Sequence, residues 1–265
     1  MILLLTATML GFVAFMLVGW AFQRARGNGG WTDVFWSFGM GLAGVACALW
    51  PLEPGPLSER QWLVAALIGI WSLRVGLHIA LRVARSGEDA RYARLREEWD
   101  ANFQLRMALF LPGQALLSIP LVAAVTLAAH RPGPIGLSDL AAVLILAAAV
   151  LGEGIADRQL DAFKADPANR GRICDVGLWS WSRHPNYFFE WLGWLAYPVI
   201  AIDRWGGYRE GWLALAGPLT IWLLLNFLSG VPPLEAHMLR SRGDAFRDYQ
   251  RRTSAFFPFP PRKGA

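Results

Sequence analysis

Long, nearly uninterrupted apolar stretches recur along this chain, and they restrict its fold more than any other feature. Hydrocarbon offers no partner to an unpaired backbone N–H or C=O, so a stretch of about 20 apolar residues is stable there only as a helix. Stretches at 2–22, 34–50, 62–84, 109–129, 135–154, 187–202 and 212–228 meet that length or approach it. They predict an all-α, polytopic membrane protein with about seven transmembrane helices and one membrane domain over 1–265. With 55% hydrophobic and only 17% charged residues, the chain is too apolar for an ordinary soluble domain. The first stretch has no basic start, and no A-x-A site precedes Arg24 and Arg26. It is therefore expected to be a retained helix rather than a cleaved signal.

Charge gives the expected orientation. With the N-terminus outside, only Arg60, Arg131, Arg204 and Arg209 fall in outer loops and Arg74 falls within a helix. Every other Lys and Arg lies inside, which is the positive-inside pattern of a multi-pass protein in a bacterial inner membrane with a cytoplasmic C-terminal tail. The formal charge of +5 thus reflects faces beside anionic lipid, and no nucleic acid is invoked. Two cysteines, Cys47 and Cys174, make neither a disulfide framework nor a thiolate metal site.

The long polar stretches, 82–104, 156–183 and the tail after Gly230, all fall on the inner side. Chemistry is expected there. The densest run holds Asn169, Arg170 and Arg172, then Arg183, His184, Asn186 and Tyr187, then Glu190. Arg170, Arg172 and Arg183 suit phosphate oxygens through forked hydrogen bonds, and a helix entering near Asn186 presents free N–H groups. Any one of these arginines has an alternative use, which is to snorkel to lipid headgroups. Glu153 and Asp157 share a helical face and suit ribose hydroxyls or a carboxamide, or else form a solvated face. Glu235 and His237 lack a second His or Cys, so no metal is expected.

The run GLWSWSRHPNYFFEW at 177–191 resembles the signature of the membrane steroid 5-alpha-reductase-like superfamily, including a bacterial branch known only as a domain of unknown function. GEDARYARLREEW at 87–99, VPPLEAHML at 231–239 and FRDYQRRTSAFFPFPPRK at 246–263 extend the likeness over most of the chain after Trp31. The resemblance implies NADPH held by the C-terminal half, 131–265, and a lipophilic substrate entering from the bilayer beside the N-terminal helices, 1–130. Residue by residue, it points to Asp157, Arg183, His184, Asn186, Tyr187, Glu190 and Tyr249 for the cofactor.

The adjacent Gln-Glu pair that the eukaryotic steroid reductases place in an early helix is missing here. Candidate replacements are Asp33, near Trp36, and Arg74 with His78, which share a face one turn apart; the last two also read as a structural pair to Asp33 or Glu190. The implied reaction reduces a C=C bond conjugated to a carbonyl in a steroid- or terpenoid-like molecule. Tyr187, His78 or Tyr92 is the candidate donor of the hydrogen bond to the substrate oxygen. The sequence also resembles the isoprenylcysteine carboxyl methyltransferases, which use S-adenosylmethionine. Arg183, His184, Pro185, Tyr187 and Glu235 carry that second likeness.

Overall fold

A computed structural model describes residues 1–52, 54–85, 87–203 and 206–262. Arg204 and Lys263, used above for orientation, lie outside the described residues. The described chain is predominantly helical, and its β structure is limited to an isolated parallel bridge between Ser182 and Ser254. Among the described residues, six helical stretches are long and apolar enough to cross a membrane: Ile2–Arg26, Trp31–Leu49, Glu59–Arg85, Arg91–Ala129, Leu137–Ala165 and Arg209–Arg242.

The seventh expected span, 187–202, is two short helices, Pro185–Trp194 and Ala196–Ala201. Pro198 explains the break. It has no N–H for the Trp194 carbonyl, and its ring clashes with that carbonyl in a continuous helix. Pro120 acts alike two residues after Ser118, where Phe103–Leu117 gives way to Ile119–Ala129. We label the helices α1 (Ile2–Arg26), α2 (Trp31–Leu49), α3 (Glu59–Arg85), α4 (Ala90–Trp99), α5 (Phe103–Leu117), α6 (Ile119–Ala129) and α7 (Leu137–Ala165). The series continues with α8 (Pro185–Trp194), α9 (Ala196–Ala201), α10 (Ala216–Leu223), α11 (Val231–Arg242) and α12 (Asp244–Arg252). The polar stretch 82–104 is thus the end of α3, helix α4 and the start of α5, and α7 runs well past Gly154.

The chain forms two compact units, Met1–Val143 with Tyr197–Gly217 and Leu144–Ala196 with Pro218–Ala265. In the first unit α2 packs on both α1 and α3, and α6 packs on α2 and α3. Gly41 and Gly44 permit the close approach of α2 to α3. A Cβ on Gly41 would sit 2.1 Å from the Ser72 hydroxyl, and one on Gly44 would sit 2.7 Å from Ile68. Without a hydrophobic force between helices in lipid, such small-residue contacts are what hold them together. Met16, Met40, Cys47, Val64, Ile68, Met107, Leu111 and Leu121 form the core, while Leu10, Val18, Leu73, Leu77, Leu105 and Leu109 point outward. Large apolar side chains on the outside are what a hydrocarbon solvent requires.

In the second unit, α7 and α8 approach through Gly152, where a Cβ would meet the Phe189 ring at 2.3 Å. The end of α10 winds into a π-helical turn, Leu224–Leu228, in which the Asn226 side chain donates to the Trp222 carbonyl at 3.0 Å. Pro232 and Pro233 then open α11 in its first turn, where a missing N–H costs nothing.

Candidate functional site

Each unit holds a dense polar cluster that includes residues the sequence singled out. In the first unit, α4 is latched onto the turn between α1 and α2. The Tyr92 hydroxyl, fully buried, donates to Asp33 Oδ1 at 2.7 Å, and Arg91 reaches Asp33 Oδ2. Thr32 lies 2.6 Å from the Tyr92 oxygen. Glu88 accepts the Gly29 N–H at 2.8 Å and is gripped by both Nε and Nη2 of Arg96. Burial alone would raise the Glu88 carboxyl, but Arg96 and the Gly29 N–H outweigh it and hold the group below its ordinary value. Gly29 is required here, since a Cβ on it would fall 2.6 Å from the Tyr92 ring.

Two of the expected catalytic residues, Asp33 and Tyr92, are therefore hydrogen-bonded to each other. His78 and Arg74 lie half-buried on α3. Asp33 takes its partners from α4.

In the second unit, the signature run is tied to the C-terminal tail. The Arg183 N–H donates to the Ser254 carbonyl at 2.8 Å, the Ser182 hydroxyl to that of Phe256 at 2.8 Å, and the Phe259 N–H to that of Trp181 at 3.1 Å. Glu235 of α11 is the hub: Oε1 lies 2.7 Å from Arg183 Nε and 3.0 Å from His184 Nε2, and Oε2 accepts from Gln250 at 2.7 Å. Arg183 Nη1 also donates to the Thr253 carbonyl at 2.6 Å. The expected phosphate ligand is thus largely committed inside the protein. Only its Nη2 remains.

Tyr249, 3% exposed, donates its hydroxyl to the Trp179 carbonyl, and burial pushes that hydroxyl's pKa up. Burial pushes the His184 imidazole below its ordinary value, against the pull of Glu235. With Nε2 donating to Glu235, His184 keeps a lone pair on Nδ1, which is buried and has no partner. Its ring stacks on Tyr187, with centroids 5.4 Å apart and planes 6° from parallel.

Beside this network lies the α7–α8 face. Asn186 Nδ2 is 3.5 Å from Asp157 Oδ1, its own oxygen accepts the Tyr187 N–H, and Glu190 accepts from Trp194 at 3.0 Å. Glu153 stands one turn before Asp157, within α7 rather than at its end. The Trp179 indole donates to the Ala156 carbonyl at 2.9 Å and fixes the loop against α7. Asn169 and Arg172 bond each other at 3.3 Å, while Arg170 and Arg172 remain exposed. No group of three or more metal-ligating side chains occurs among the described residues.

Sequence reasoning missed Arg91, Thr32, Ser182 and Gln250 as partners in these clusters. Asn226, a polar residue inside an apolar span, was a visible signal that went unused.

Fold and clusters together define a polytopic, all-α membrane protein with built networks of polar side chains in both units. The chain belongs to the family described as proteins of unknown function, DUF1295, whose model matches residues 19–253. No curated protein and no solved structure matches it.

Proposed function

We propose that this protein is a membrane reductase that uses NADPH to saturate a C=C bond conjugated to a carbonyl in a lipophilic, steroid- or terpenoid-like substrate. The observation that carries the reading is the second unit's donor set. Asp157, Asn186 and Glu190 offer an amide and two carboxylates on adjacent helices, preceded by the exposed guanidinium groups of Arg170 and Arg172. These residues fit a dinucleotide: Arg170, Arg172 and Arg183 Nη2 for phosphates, Asp157, Asn186 and Glu190 for hydroxyls and carboxamide, and the unpaired His184 Nδ1 for one further N–H or O–H. When bound, NADPH supplies the hydride. S-adenosylmethionine carries no phosphate for the exposed arginines to hold.

In the reaction the substrate β-carbon gains the hydride, the C=C electrons move onto the carbonyl oxygen as an enolate, and a proton at the α-carbon completes the saturation. The residues stabilise that enolate by a hydrogen bond. Tyr187, adjacent to the cofactor residues on α8, Tyr92 with its Asp33 partner, and His78 are the candidate donors. Asp33 fits the task of holding Tyr92 in place, because a buried hydroxyl is oriented by its acceptor.

We further propose a bacterial inner membrane, with the N-terminus outside and the C-terminus in the cytoplasm, where NADPH is available. The test is thermal unfolding of the detergent-solubilised protein. A ligand at about 100 times its dissociation constant adds about 2.7 kcal/mol of stability. NADPH is expected to raise the melting temperature; a rise with S-adenosylmethionine alone replaces the reductase with the methyltransferase reading.

A further inference from the structure

The side chain of Gln114 poses a problem that the reductase reading does not use. Gln114 sits in α5, close to the midpoint of the passage that α5 and α6 make between Phe103 and Ala129. Its Oε1 is buried and has no hydrogen-bond partner. An unpaired amide oxygen at that depth is costly, and intramembrane polar groups kept at such cost ordinarily have a use.

Ser118, one turn on, and Trp36 cannot supply the missing proton. The break between α5 and α6 diverts the Ser118 N–H to the Ala115 carbonyl, so the Ser118 hydroxyl covers the Gln114 backbone carbonyl instead, at 2.9 Å. That hydroxyl in turn accepts the Trp36 indole N–H at 3.0 Å. A hydroxyl has one proton and an indole has one N–H, so both donors are spent. A lone water is a poor answer, since a buried water needs at least about two polar partners and these two donors are already used. Trp36 also meets Trp71 edge to face at 6.1 Å, which sets an aromatic wall on the same side of α2.

We propose that Gln114 Oε1 accepts the hydroxyl of a lipophilic alcohol that enters the first unit from the bilayer. In the reductase reading, on which this identification of the ligand as substrate rests, the enone carries a hydroxyl remote from its reacting carbonyl. A ketone or an ether in its place has no proton to give, so Gln114 selects alcohols over their oxidised or alkylated counterparts.

The experiment uses the full chain in lipid nanodiscs without NADPH, titrated by mole fraction with two probe pairs: cholestanol and its methyl ether, and farnesol and its methyl ether. Tryptophan fluorescence reports occupancy, as Trp36 and Trp71 lie beside the site. At least one alcohol is expected to bind roughly fivefold tighter than its ether, the worth of one neutral hydrogen bond. Gln114→Leu should erase that preference while ether binding persists, and Gln114→Asn, which keeps the amide one carbon shorter, should reduce it. If neither pair is discriminated, if neither binds, or if Gln114→Leu keeps the preference, the proposal is wrong. Because no NADPH is present, that failure leaves the cofactor assignment standing, and failure of NADPH to stabilise the protein leaves an alcohol preference standing.

Discussion

Arg60 and Asp139 meet fork to fork, with Nε 2.7 Å from Oδ1 and Nη2 2.9 Å from Oδ2, and both side chains are almost wholly buried. The remaining guanidinium N–H groups donate to the carbonyls of Arg131 and Gly133 at 2.8 Å and of Pro134 at 2.5 Å. Every donor is used. An arginine read from the sequence as one of a few outer-loop charges is the staple that closes the turn between α6 and α7 on the first turn of α3.

Removing one partner of such a pair leaves the other charge buried and alone, which costs about 3–5 kcal/mol. Arg60→Ala should therefore lower the melting temperature of the purified protein sharply, and Arg60→Lys should not restore it, because an ammonium cannot fork onto a carboxylate. A melting temperature unchanged in both variants contradicts this staple.

The latch of α4 gives a second expectation. Tyr92→Phe keeps the ring against Gly29 but removes the proton held by Asp33, so the fold should survive at a cost of about 1–2 kcal/mol. If Tyr92 is the hydrogen-bond donor to the substrate oxygen, turnover should fall about a hundredfold or more while the NADPH-induced rise in melting temperature is kept. The same pair of measurements on Tyr187→Phe separates the two tyrosines. Full turnover in Tyr92→Phe assigns that role elsewhere.

For the cofactor, Glu190→Ala should weaken NADPH binding roughly ten- to a hundredfold, the cost of about 1.5–3 kcal/mol for a hydrogen bond to a charged group, and Asn186→Ala should weaken it by a smaller factor, as befits a neutral amide. Arg209→Ala is the proper control, being exposed. Arg131 is not, since its guanidinium holds the Ser138 hydroxyl at 2.7 Å and the Ile200 carbonyl at 3.0 Å. Affinities equal to the control in both α8 variants would remove the cofactor from this face.

Acid should loosen the signature run. Burial lowers the His184 pKa in the folded protein, so the unfolded chain binds that proton more readily. Stability from this group is fully present above the unfolded value of about 6.5 and is lost as the pH falls below it. The melting temperature of the wild type should therefore drop more between about pH 7.5 and 5.5 than that of His184→Gln, whose side chain does not titrate in that range. Parallel pH profiles would show that His184 does not titrate against folding.

Reporter fusions test the orientation. Those after Trp50 and after His130 should appear outside, and those after Arg85 and after Ala165 inside. The last two positions follow the observed ends of α3 and α7. A reversed pattern would place the second unit's network away from the cytoplasm and contradict the proposed use of NADPH.

Much of the architecture was legible in the sequence because hydrocarbon leaves a chain few choices: an apolar stretch of sufficient length must pair its backbone internally, and the helix is the local way to do so. Hence α1, α2, α3 and α7 fall where hydropathy puts them, although α1, α3 and α7 run further at their polar ends. At 187–202 the run of apolar residues predicts one span, and Pro198, a local signal whose consequence is steric, divides it into two short helices. Arg74, His78, Asn186 and Glu190 were recognisable as polar groups in costly places. What no local pattern states is who meets whom. Arg60 with Asp139, Tyr92 with Asp33 and Arg183 with Glu235 are 79, 59 and 52 positions apart. A buried charge or hydroxyl must find a partner, which composition and depth reveal, but many acceptors satisfy that demand, and only the packing of helices brings one of them within about 3 Å.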